Sequence, residues 1–130
     1  MGTIIIIHRW FGGLILPMLL LAAAIWFTLA WKRESWPGRP AQTFRILVDI
    51  QFLLGLSFWL YMIASGAGAR YLAFPFILHP LMGLVAATVA NLAARRNDRV
   101  AGLGRWAPLA SLGLLLVMVL IAGTVARLVS

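Results

Sequence analysis

Four long apolar runs alternate with three short polar connections along the chain. The runs cover residues 4–31, 46–64, 72–94 and 107–126. A helix needs about 20 apolar residues to cross the roughly 30 Å hydrocarbon core of a bilayer, and each run has about that length or more. Connections this short force consecutive helices to run antiparallel. The pattern therefore predicts a single all-α domain over residues 1–130, an integral membrane up-down bundle of four transmembrane helices.

Prolines and glycines refine this pattern. The first run is longer than a bilayer requires, so we expect it to tilt, to kink at Pro17 or to project beyond the membrane. Pro37, Gly38 and Pro40 are typical helix breakers and predict a loop over residues 32–45. The glycine-containing stretch 65–71 is the predicted second connection.

The composition supports a membrane protein. Hydrophobic residues make up 63% of the chain and charged residues 11%, whereas a soluble domain is roughly half apolar and about one quarter charged. The absence of cysteine excludes a disulfide framework, a thiolate metal site and covalently attached c-type haem.

The distribution of charge predicts an orientation. The net charge is +8, and eight of the eleven basic residues lie in the loops 32–45 and 95–105. By the positive-inside rule these loops are cytoplasmic and both termini are outside, as in a bacterial cytoplasmic membrane. Because the basic residues lie in short loops between apolar runs, we interpret them as topology signals and contacts to anionic membrane lipid. We do not expect a nucleic-acid partner.

The two histidines are the main candidates for chemistry. His8 and His79 lie near the start of the first and third runs, which run in the same direction and are diagonal partners in an up-down bundle. At 1.5 Å per residue they lie roughly 6 and 10 Å below the outer edge. Two imidazoles at similar depth predict bis-histidine ligation of the iron of non-covalent haem b. The alternative is a membrane-buried histidine that bonds a backbone carbonyl.

Glycines accompany both histidines at the same spacing. Gly12 follows His8 and Gly83 follows His79 by four residues, and Gly55 follows Gln51 in the second run. Residues four apart share a helix face, and glycine lets a flat macrocycle approach the backbone. The alternative role of these glycines is close helix packing in lipid.

Three arginines lie on the predicted outer side. Arg9, Arg70 and Arg127 are the basic residues outside the two cytoplasmic loops. Arginine pairs with carboxylates in a bidentate manner, so these side chains are candidates for binding the haem propionates. Contact with lipid headgroups is the alternative for each of them.

These motifs resemble one four-helix half of haem A synthase and, more generally, small membrane b-type cytochromes with bis-histidine haem. That family has an HR pair followed by a glycine, a Q-x-x-x-G stretch in the next helix and a histidine opening the helix after it. The matching residues here are His8, Arg9, Gly12, Gln51, Gly55 and His79. The resemblance implies that the two histidines are axial haem ligands.

The chain also departs from that family. It has four predicted helices where the family has eight, and residues 4–7 are isoleucines where the family has a catalytic carboxylate. The family's loop cysteines are missing. We therefore carry over haem binding and not haem oxidation.

The sequence thus predicts a haem-binding electron-transfer protein or subunit rather than a stand-alone enzyme. Its expected partners are membrane lipid and other membrane subunits or a second copy of the chain, with a quinone as a further candidate. The main alternative is a non-catalytic structural subunit of a respiratory or photosynthetic complex, with a chlorophyll-type pigment or no cofactor. A proton-coupled transporter would need Asp49 as its embedded acid. An ion pair with Arg45, four residues earlier, is the simpler role for Asp49.

Overall fold

The computed structural model describes residues 1–31, 38–95 and 101–129, and this part of the chain is helical. Residues 32–37 of the first predicted loop and 96–100 of the third lie outside the described residues, and with them four of the basic residues used to predict orientation. The helices in chain order are α1 (Gly2–Trp10), α2 (Leu16–Leu29), α3 (Gly38–Met62), α4 (Gly68–Leu72), α5 (Leu78–Ala93) and α6 (Ala107–Val129). Short π-helical segments join α1 to α2 and α3 to α4, and a 3-10 turn, Ala101–Trp106, precedes α6.

The first run is one helical rod with a π-helical segment, Phe11–Ile15, immediately before the α2 turn that contains Pro17. Proline has no N–H to donate, and its ring clashes with the carbonyl four residues earlier. In the π segment the N–H of Leu16 bonds the carbonyl of Phe11, five residues back, which widens the turn that proline would otherwise crowd. The distortion expected at Pro17 is therefore a π segment on its N-terminal side.

The helix of the second apolar run, α3, begins earlier than the sequence indicated, at Gly38 rather than near residue 46. Pro40 lies in its first turn, where the backbone N–H has no partner within the helix, so proline is tolerated there. The stretch 65–71 is largely helical rather than a loop, with a kink at Gly66, whose φ of 97° lies in the left-handed region that glycine adopts readily.

The helix of the third apolar run, α5, begins later than predicted, at Leu78 rather than near residue 72. The chain between α4 and α5 is a turn that contains Pro75, and the residue before a proline is disfavoured in the helical conformation. This delay leaves α5 with 16 residues. His79 consequently lies in the first turn of its helix, as the second residue of α5.

The core consists of small side chains and a few leucines. Its buried members are Leu16, Leu20, Ala23, Ala24, Ala41, Val48, Ala86, Ala87, Ala90, Ala94, Ala107, Leu112 and Leu115. The alanines let helices approach closely, as is typical of helix packing in lipid. α6 packs against α2 and α5, while α3 packs against α5 and α1. Helices from the first and third runs are therefore each flanked by the same two neighbours, α3 and α6.

The outward face of the bundle is apolar. Leu29, Trp26 and Met18 on α2 are exposed over 73%, 67% and 63% of their surface, and α3 and α6 carry further exposed leucines, valines and isoleucines. Three helical stretches are long and apolar enough to cross a membrane, Gly2–Leu29, Gly38–Leu72 and Gly102–Leu128, while Leu78–Ala93 is apolar but shorter. The predicted all-helical class is confirmed for the described residues. Their outward surface is apolar, as expected for a protein that lies in a membrane.

A polar cluster joins α3 to α5. Asn91 donates one amide hydrogen bond to Asp49 Oδ1 at 2.9 Å and accepts one from Arg45 Nη1 at 3.4 Å. The same amide also bonds the carbonyl of Ala87, one turn earlier on α5. The charges of Arg45 and Asp49, expected to pair directly along one helix, are thus linked through an amide on the neighbouring helix.

Replacing Asn91 with alanine should destabilise the bundle. The variant Asn91→Ala removes the bridge and leaves Asp49 without this donor, which costs about 1–3 kcal/mol for a partly buried polar group. The measurement is reversible unfolding in mixed micelles. Thr88→Ala is the matched control, since Thr88 is exposed on α5 and bonds only the carbonyl of Leu84 on its own helix. Equal losses in the two variants would contradict a structural role for the bridge.

Candidate functional site

The structure brings the two histidine side chains together. His8 lies on α1 and His79 in the first turn of α5, and their ring centroids are 5.8 Å apart with the ring planes at 90°. The helices that carry them come from the first and third runs, so the two imidazoles meet across the bundle. Both side chains are only partly exposed.

Each imidazole is held by a backbone carbonyl of a third or fourth helix. His8 Nδ1 lies 3.2 Å from the carbonyl oxygen of Gln51 on α3, and His79 Nδ1 lies 2.8 Å from that of Ala122 on α6. A carbonyl oxygen only accepts hydrogen bonds, so in both rings Nδ1 is the protonated nitrogen. The lone pair is then on Nε2 in both histidines, which is the tautomer of a metal-ligating histidine oriented by a carbonyl.

Gln51 on the neighbouring helix forms two hydrogen bonds with His8. Its Nε2 donates to the carbonyl oxygen of His8 at 2.9 Å, while the ring of His8 donates to the carbonyl of Gln51. Gln51 Oε1 is buried and has no hydrogen-bond partner among the described residues. The sequence singled out Gln51 only as the first residue of the Q-x-x-x-G stretch. Its direct contact with His8 depends on how α1 and α3 face each other.

The three predicted glycines lie against planar groups of the chain itself. The imidazole of His8 packs on Gly55, where an added Cβ would lie 2.6 Å from Cε1, and the ring of Phe52 packs on Gly83, where it would lie 3.1 Å from Cδ2. The amide of Gln51 packs on Gly12. A side chain at any of these positions would make the neighbouring group shift: by a few tenths of an ångström for Phe52, and by more for the amide of Gln51 and the ring of His8. In this structure the glycines allow close packing. This was one of the two roles that the sequence left open, and contact with a macrocycle was the other.

Two histidines, each with its lone pair on Nε2, are the protein donors that a bis-histidine haem iron takes. Haem needs two protein ligands because its four nitrogens occupy the other positions. Among the described residues there is no group of three or more His, Cys, Asp or Glu side chains placed to hold a metal ion without such a ring. With the rings in edge-to-face contact, a macrocycle would have to displace planar groups that now fill the space around them.

The outer arginines fall into two places. Arg9 and Arg127 line one open groove of ≈290 Å³ together with Trp10, Gly13 and Leu14. Arg70 lies over the ring of Phe76, with the guanidinium carbon 4.9 Å from the centroid, a cation–π contact. Arg9 and Arg127 therefore line the same groove, whereas Arg70 lies in a separate cluster of aromatic side chains.

The contact between Gly55 and His8 can be tested by adding a single methyl group. Gly55→Ala places a carbon against the imidazole ring, and overpacking of this kind costs typically 1–3 kcal/mol of unfolding free energy. Gly113→Ala on α6 is the control, because nothing lies within 4 Å of its added Cβ. Its higher helix propensity should leave stability unchanged or raise it by up to about 1 kcal/mol. A neutral Gly55→Ala variant would show that the imidazole does not pack on this glycine.

Comparison with known proteins assigns no family to this arrangement. No protein-family model, curated protein or solved structure significantly matches the chain. The resemblance to haem A synthase thus stays an expectation based on six residues. We therefore infer the function from the geometry of the two histidines.

Proposed function

We propose that the protein is a small membrane b-type cytochrome, or the haem-binding subunit of a larger complex, with His8 and His79 as the axial ligands. One observation carries the proposal: the ring centroids of two imidazoles on different helices lie 5.8 Å apart, each ring with Nδ1 bonded to a helix carbonyl. Haem b would supply a one-electron iron couple at this position.

The surroundings of the pair suit a ligand role. Bonding Nδ1 to a carbonyl fixes the orientation of each ring and leaves Nε2 as the nitrogen that can donate a lone pair. Gln51 adds a second constraint on His8 by holding the backbone carbonyl of the same residue. An iron held by both imidazoles would have no coordination site left for oxygen, which favours electron transfer over activation of oxygen.

The same proposal places the bundle in a membrane. The three span-length helices and the apolar outer surface support four antiparallel crossings, with α5 extended by the apolar residues that precede it. The charge distribution in the sequence supports cytoplasmic loops at 32–45 and 95–105 and both termini outside. On this orientation the histidines lie toward the outer side. Arg9, Arg70 and Arg127 stay the predicted counter-charges for haem carboxylates.

The electron partner is proposed to be another membrane subunit, a second copy of the chain or a quinone. The described residues are almost entirely within helices and short turns, so they offer little surface outside the membrane for a soluble carrier. Asp49, the embedded acid that a proton-coupled transporter would need, is bonded to Asn91, and this contact supports a structural role instead.

A structural subunit is the second candidate, and a specific observation favours it. The two rings lie edge to face with their centroids 5.8 Å apart, and the spaces beside Gly12, Gly55 and Gly83 are filled by the chain's own side chains. Without a cofactor, the same contacts would tie α1 to α3 and α5 to α6. A chlorophyll-type pigment, which needs one axial imidazole, belongs to this alternative and has a distinct spectrum.

The absorption spectrum of the detergent-purified protein distinguishes these functions. The cytochrome should show sharp low-spin bands after reduction with dithionite, and His8→Ala and His79→Ala should each convert them to a high-spin spectrum or lose the haem. Thr124→Ala is the control, because its hydroxyl is exposed and bonds the carbonyl of Leu120 on its own helix.

Two checks keep this experiment decisive. Size-exclusion chromatography shows whether each histidine variant is still folded, and added haem tests whether an empty protein can be reconstituted. A wild-type protein that stays colourless after haem is added would overturn the proposal and favour the structural subunit. Low-spin spectra in both histidine variants would overturn the assignment of the ligands.

A further inference from the structure

The π segment Phe11–Ile15 takes one extra residue into the first rod. The N–H of Leu16 bonds the carbonyl of Phe11, five residues back, whereas the bonds of an α-helix reach four residues back. Each residue of an α-helix turns the chain by about 100°. The extra residue therefore changes, by about that angle, the direction in which every side chain of α1 points relative to α2.

This change decides which of two neighbouring residues faces the bundle. Leu16 and Leu20 are fully buried and mark the inward side of α2. Counted back from Leu16 through an unbroken α-helix, Arg9 would point within about 20° of that side and His8 would point about 80° away. With the extra residue, His8 points within about 20° of the inward side and Arg9 about 120° away.

The exposure of the side chains on α1 agrees with the shifted direction. Ile4 and His8, which lie one turn apart, are both partly buried, and Arg9 is exposed. Ile6 is exposed over 58% of its surface. An unbroken α-helix would instead turn Ile4 outward, about 120° from the buried side.

The contacts of His8 depend on the same direction. Its ring bonds the carbonyl of Gln51 and lies with its centroid 5.8 Å from that of His79. The amide of Gln51 packs on Gly12, which is itself a residue of the π segment. An arginine directed into this space would bring a charged guanidinium against apolar groups, which is costly inside a membrane.

We propose that the π segment is the element that positions His8, because its extra residue turns His8 rather than Arg9 toward His79. Pro17 determines where the extra residue lies, since its ring cannot pack against a carbonyl four residues back in a regular α-helix. π segments of one turn are frequent at functional sites. The orientation of His8 follows from the structure alone, while its consequence for haem ligation rests on the proposed function.

The test changes the number of residues in the π segment. Deleting Gly13 together with Pro17→Ala removes the extra residue and the proline, so an unbroken α-helix should keep His8 directed at His79. Gly13 is suited to deletion because nothing lies within 4 Å of a Cβ added there. Inserting one alanine after Gly13 should instead turn α1 by a further angle of about 100° and take His8 out of the bundle.

A rescue variant separates orientation from general damage to the fold. In the insertion variant, His8→Arg combined with Arg9→His moves the histidine one position later, where it should face His79 again. The same exchange without the insertion should point the histidine outward. A purely structural role of the π segment predicts no such rescue.

The orientation can be measured without haem, because the chain has no cysteine. Ile4→Cys and Ile6→Cys, each introduced alone, are matched reporters on opposite sides of α1. In the wild-type background and in the Gly13 deletion, N-ethylmaleimide should alkylate position 6 severalfold faster than position 4. The insertion should reverse this order. A reversed order in the deletion variant, or the wild-type order in the insertion variant, would overturn the proposal.

Absorption spectra of the same backgrounds without the cysteines link the orientation to the proposed haem. The wild type, the deletion variant and the rescue variant should show reduced low-spin bands, and the insertion variant should lose them. Low-spin haem that persists in the insertion variant would overturn the positioning role. If alkylation follows the expected order while the wild type takes up no haem, the positioning of His8 is supported and the cytochrome assignment fails.

Discussion

A polar group among apolar side chains must find its hydrogen-bond partners within the protein, and that constraint fixes the centre of this bundle. The ring of His8 and the amide of Gln51 satisfy it reciprocally, each bonding the backbone carbonyl of the other residue. His79 meets the same requirement at a carbonyl of α6. Leaving such a buried group unpaired costs about 1–3 kcal/mol, so these contacts determine how α1, α3, α5 and α6 face one another.

Close approach makes these contacts possible. A planar ring or amide reaches the backbone of a neighbouring helix only where no Cβ intervenes, and Gly12 and Gly55 provide that space. Alanines also let neighbouring helices approach closely in the apolar core, where Ala24, Ala86 and Ala90 are almost fully buried. In a bilayer the apolar solvent would give little hydrophobic force between helices, so such packing and the hydrogen bonds together would hold the bundle.

The prolines explain why the predicted helix bounds were only partly right. Local sequence rules treat Pro40 as a helix breaker, but the first turn of a helix accepts proline, so α3 begins at Gly38. At Pro75 the same residue type delays α5 to Leu78 and places His79 in a first turn. The sequence predicted that the helix would be distorted near Pro17, but not that the distortion would be a π segment. A π segment is one of several ways to remove the clash between the proline ring and the preceding helical turn.

What the sequence by itself determined is the class of structure and the pair of residues worth examining. The length and composition of the apolar runs are local properties, so they predict helices that could cross a membrane whatever the packing. They also identify His8 and His79 as the histidines of an otherwise apolar chain. The tertiary structure decided which carbonyl holds each ring, that Gln51 contacts His8 and that Asn91 links Arg45 to Asp49. It also decided that Arg9 and Arg127 line one groove while Arg70 lies over Phe76. These outcomes depend on the rotation of each helix about its axis and on its shift along its neighbours, which are set by side chains far apart in the sequence.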